Sequence, residues 1–112
     1  MPLNSYTAVV ERATPLAGTF ATEPYEVAWA REVLVFIRVR EDTEGRPTVR
    51  ARIQISPDGM HWVDEGTEFA PIEGAGLSFV RVTQFGSWLR VAGQVFPDGA
   101  AAKALIYFCL KE

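Results

Sequence analysis

The chain has 112 residues, 48% of them hydrophobic and 22% charged, with a formal net charge of −3. That composition supports one folded core, leaves too little for a second, and excludes a disordered chain. The slightly acidic balance argues against a polyanionic partner, and the longest strongly apolar run, residues 33–37, is far too short to span a bilayer.

Residues 1–7 read as an extended N-terminal arm with none of the features of a signal peptide. Short strands are expected at 6–12, 19–22 and 25–29. Over 31–40 the apolar period is two: Val33, Val35, Ile37 and Val39 share one face, and Leu34, Phe36, Arg38 and Arg40 share the other. After the polar stretch 41–46, Val49, Ala51, Ile53 and Ile55 alternate with Arg50, Arg52 and Gln54. These two segments read as a long β-hairpin. In the turn that follows, Pro57 presets φ, Asp58 tolerates the second central position, and Gly59 supplies positive φ after Ser56 opens it. The chain should return as a strand over 60–64, with further strands at 67–70, 77–84, 87–96 and 102–111. Residues 97–100, Pro-Asp-Gly-Ala, repeat the turn chemistry and predict a closing hairpin. No window has helical spacing. About eight or nine strands with frequent turns predict one all-β domain over 1–112, an antiparallel β-sandwich of jelly-roll type, with an Ig-like topology as the alternative.

Nine of the eleven basic residues are Arg, whose planar guanidinium suits carboxylate partners. A hairpin with Arg40 opposite Arg50 and Arg38 opposite Arg52 puts all four on one face, where facing like charges cost about 0.2–1 kcal/mol per pair. Such a ridge either docks on an acidic protein surface or is a solvated outer face. Nucleic-acid binding by the same ridge, with Phe36 stacking, runs against the acidic balance. His61 and Cys109 are the only residues of their types, so no His or Cys metal cluster and no disulfide within the chain can be assembled, a Ser-His-Asp set would have to use His61 alone, and no cofactor is expected. Asp58, Asp64, Glu65 and Glu68 form an acidic patch that could hold calcium weakly, although the turn already accounts for Asp58. Trp29, Trp62 and Trp88 read either as packing or as a sugar-stacking platform.

The segment Ile53-Gln54-Ile55-Ser56-Pro57-Asp58-Gly59-Met60-His61-Trp62 is a strand followed by S-x-D-G-x-x-W. It resembles the hairpin of discoidin-type jelly rolls and that of small β-sandwich modules in phage structural proteins. Residues 86–95, Gly-Ser-Trp-Leu-Arg-Val-Ala-Gly-Gln-Val, look like the aromatic-x-Arg-Val strand of the same modules, and the apolar strand over 102–110 completes the pattern. The resemblance covers residues 32–110. Discoidin modules are longer and carry a disulfide joining their ends, so the phage-type module fits this length and its single cysteine better. That resemblance implies a non-catalytic virion component, an accessory or decoration subunit of a capsid or tail assembled in the host cytoplasm. Its partners would be capsid or tail subunits, reached through loops and the arginine face of Arg38, Arg40, Arg50 and Arg52, with self-association as a trimer through open edge strands. Ser56, Pro57, Asp58, Gly59 and Trp62 would be structural. The alternative function is a small carbohydrate-binding module.

Overall fold

Segments whose apolar residues recur at every second position form the strands. The computed structural model describes residues 5–41, 43, 45–83 and 85–112, with the side chains of all of these except 5 and 10–14. In chain order the strands are β1 (Ser5–Ala17), β2 (Thr19–Ala21), β3 (Tyr25–Glu26), β4 (Glu32–Val39), β5 (Thr48–Ser56), β6 (Val63–Glu68), β7 (Ile72–Glu73), β8 (Gly76–Val82), β9 (Trp88–Phe96) and β10 (Ala101–Lys111). One antiparallel sheet, sheet A, has the order β1-β10-β4-β8. The other, sheet B, has the order β2-β9-β5-β6, with β3 joined to β9 and β7 to β5.

With the two-residue strands β3 and β7 set aside, the remaining strands counted along the chain run 1-8-3-6 in sheet A and 2-7-4-5 in sheet B. That is the order of a jelly roll, two interlocked Greek keys, and it rules out the Ig-like alternative. The core lies between the sheets. Val33, Val35, Ile37 and Val39 of β4 and Ile106, Phe108 and Leu110 of β10 face Val49, Ile53, Leu89 and Val91 of sheet B, all buried. Tyr25 meets Phe108 edge-on, with ring centroids 5.9 Å apart.

The alternation in β4 and β5 is as the sequence predicts, but the hairpin between them does not exist. β4 pairs with β10 and β8, and β5 with β9, β6 and β7. The stretch between them carries the chain from one sheet to the other, so their apolar faces meet across the core instead of lying side by side. The predicted closing hairpin fails in the same way. Residues 97–100, which begin with a cis Phe96–Pro97 peptide, lead from β9 in sheet B to β10 in sheet A. The segments expected at 60–64 and 67–70 are one strand, β6, which starts only at Val63 because Met60–Trp62 complete the preceding turn. The expected arm at 1–7 lies mostly outside the described residues; its final part, from Ser5, belongs to β1.

Candidate functional site

The turn after β5 is a closed hydrogen-bond unit. Ser56 is 1% exposed, and its Oγ accepts from the backbone N–H of Asp58 (3.2 Å) and Gly59 (2.8 Å) while donating to Asp58 Oδ1 (2.9 Å). Asp58 Oδ1 also accepts from the N–H groups of Met60 (2.8 Å) and His61 (2.9 Å), and Oδ2 lies 2.6 Å from His61 Nδ1. The His61 and Met60 backbone donors, then the His61 ring, hold the Asp58 carboxyl far below the usual carboxylate range. Gly59 has φ 80°, and the ring of Trp88 covers it, 3.3 Å from where a Cβ would stand. Ser, Asp and His are thus neighbours, but in the wrong order for nucleophilic catalysis. A triad needs the imidazole between carboxylate and hydroxyl, whereas here the carboxylate sits between them. The arrangement is a turn.

Beyond this turn the outer face of sheet B is tied together by polar side chains. The guanidinium of Arg90 lies 4.3 Å from the centre of the Trp62 ring, and Arg90 Nε donates to Gln54 Oε1 at 2.8 Å. Gln54 Nε2 and Arg52 Nε both donate to Asp64 Oδ1 at 3.0 Å. The Gln54 hydrogen bond, then the Arg52 one, lowers the Asp64 carboxyl below its ordinary value. Next to this network Arg50, Arg52, Glu68, Pro71 and Phe96 line an open groove of about 330 Å³.

Sheet A presents a different outer face. Paired positions put Phe79, Phe36, Tyr107 and Val9 in one row across all four strands. The rings of Phe36 and Phe79 are 5.7 Å apart. Leu77 and Leu105 flank this row on one side, either side of Arg38, and Leu34 and Cys109 on the other. At the β8 end the face is open to solvent: Leu77 is 62% and Phe79 56% exposed. Arg81 closes the far corner through a 2.7 Å ion pair with Glu32.

The predicted arginine ridge is therefore split. Arg38 belongs to sheet A, and Arg40 follows β4 with its backbone N–H bonded to the Lys103 carbonyl at 2.8 Å, while Arg50 and Arg52 lie on the outer face of sheet B. The four arginines do not share a surface, because the strands that carry them are in different sheets. The acidic patch is dispersed as well: Asp58 serves its turn, Asp64 serves Arg52 and Gln54, and Glu65 accepts the Thr67 N–H at 3.0 Å. Among the described residues no group of three His, Cys, Asp or Glu side chains is placed to hold a metal. The outer row of sheet A is absent from the expected site, although the sequence carries a signal for it: β4 and β10 have apolar residues on both parities, the pattern of strands covered on both sides.

A family model described as a domain of unknown function (DUF6385) matches residues 42–112, more than half of the chain, and takes in β5 through β10. A search of curated proteins gave no match.

Proposed function

Because the chain belongs to the DUF6385 family, which carries no assigned activity, its role has to be read from its surfaces, and we propose that it is a non-catalytic assembly module. In this reading it is an accessory or decoration subunit of a larger protein particle such as a phage capsid or tail. One observation carries it: the apolar row Phe79–Phe36–Tyr107, flanked by Leu77, Leu105 and Leu34, on the outer face of sheet A. Contiguous apolar side chains on an outer face mark a protein interface, and a sheet that faced only water would alternate to polar residues there. Jelly rolls serve both capsid proteins and lectins, so the fold alone does not choose between them. Two of the three tryptophans support the first: Trp62 carries Arg90 on one face and Trp88 covers Gly59, whereas Trp29 is 42% exposed.

The test is gradient sedimentation of the tagged chain from the cells that produce it. The chain should travel with a particle far heavier than itself, and Leu105→Asp, checked for its fold by circular dichroism, should release it. A chain that sediments alone in both forms would remove the proposal.

A further inference from the structure

Among the described residues β1, β8, β2 and β6 end the two strand orders, with the two-residue β3 and β7 also at the edges of sheet B, and all but β8 are short or carry devices that prevent pairing. β1 breaks register with β10 at two places, between Val9 and Glu11 and between Arg12 and Pro15, and carries a proline. β2 has only three residues. β6 slips against β5 between Arg52 and Gln54, and exposes the charged residues Asp64 and Glu68. Bulges, proline, shortness and charge are the recognised ways of blunting a sheet edge.

β8 has none of them. Its seven residues pair with β4 in unbroken register, from Gly76 opposite Val39 to Val82 opposite Val33. The strand contains no proline and no lysine, and its one charge, Arg81, is neutralised by Glu32. Among the described residues no strand pairs with its outer side. Its outward side chains, Leu77 and Phe79, are the exposed end of the apolar row.

We infer that β8 is the contact through which two copies of this chain pair, antiparallel and edge to edge about a two-fold axis at Phe79, joining two four-stranded sheets into one. Among the registers that set outward side chains against outward ones, Phe79 opposite Phe79 pairs all seven residues and puts Leu77 opposite Arg81. Sliding by two residues in either direction leaves fewer pairs, and sliding by four toward Arg81 sets Arg81 against Arg81, a repulsive pair. In the favoured register the two apolar rows run on into each other and double the face available to a further partner. The inference does not depend on a particle, since purified protein alone tests it.

Light scattering behind a sizing column should give twice the 12.4 kDa chain mass. Register is read by crosslinking in a Cys109→Ser background. Phe79→Cys places two thiols face to face on the axis and should oxidise to a covalent dimer. Leu77→Cys leaves its two thiols roughly 13 Å apart along the strands and should not. Phe79→Lys should give the single-chain mass, while Met60→Lys, on the exposed turn, should leave the dimer unchanged. Monomeric wild-type protein at every soluble concentration, a trimeric mass, or equal crosslinking of the two cysteine variants would overturn the inference. The wild-type mass needs no variant to fold.

Discussion

Gly93 sits in the middle of sheet B, paired with Phe20 on one side and Ala51 on the other. A Cβ there would run into the Arg50 carbonyl oxygen, and would lie 2.9 Å from Phe20 Cζ and 3.0 Å from Ala51 Cα. Two of these obstacles are backbone atoms of a hydrogen-bonded neighbour strand, which cannot swing aside. Forcing an extra methyl into a packed site costs about 1–3 kcal/mol. The lower chain entropy of alanine in the unfolded state returns about 0.5–1 kcal/mol. With a rigid obstacle the upper part of the first range applies, so Gly93→Ala should destabilise by about 1–2 kcal/mol. For a chain of 112 residues the unfolding entropy is on the order of 0.24 kcal/mol/K, which converts that loss to a Tm lower by about 4–8 °C. Thermal melts followed by circular dichroism, at equal protein concentration, read this directly. An unchanged or higher Tm would refute the close approach of β2 and β5 at this position.

Two further outcomes follow from the same geometry. Asp58 has a folded-state carboxyl value depressed below the unfolded one, so its contribution is present above the unfolded value of about 4 and is lost as pH falls below it. The wild-type Tm should therefore drop between pH 5 and pH 3 more steeply than that of Asp58→Asn; parallel profiles would show that the turn does not hold the charge. Arg38→Ala and Arg52→Ala should be additive in denaturant unfolding within about 0.3–0.5 kcal/mol, since the two side chains are on opposite sheets. A larger coupling would restore the hairpin.

Period-two alternation told which residues of β4 and β5 face the core, because an inward Val or Ile is unmistakable in a strand of alternating polarity. It could not tell which strand lies beside which. A jelly roll pairs strands far apart in sequence, β1 with β10 and β4 with β8, and no local signal encodes those partners. β4 and β5 are adjacent in sequence but not in space, and the expected arginine ridge requires them to be adjacent in both. The Ser56–Trp62 segment was legible as a turn because its chemistry is local: Ser56, Asp58 and the backbone within a few residues satisfy one another. Even there the contacts that come from afar, Trp88 over Gly59 and Arg90 on Trp62, had no signature in the spacing.

The two outer faces differ in how their side chains are satisfied, and that difference is the basis of the function proposed above. On sheet B the long polar residues Arg52, Gln54 and Arg90 are bonded to one another, to Asp64 and to Trp62, so this part of the face is satisfied within the chain. On sheet A the equivalent outward positions of β4, β8 and β10 hold Phe36, Phe79, Leu77, Leu105 and Tyr107, whose only ring contact is Phe36 with Phe79 and whose β8 end, Leu77 and Phe79, stays exposed among the described residues. Folding needs only the inward halves of those strands. An outward Leu or Phe adds little to a solvated sheet and raises the risk of aggregation, so such a row is best accounted for by a surface that covers it. The same reasoning makes the unblunted edge of β8 more than an oversight, because it lies where that row reaches solvent. In the proposed pairing the edge would join copies and double the width of the face, so that both would act as one device, and both lie within sheet A.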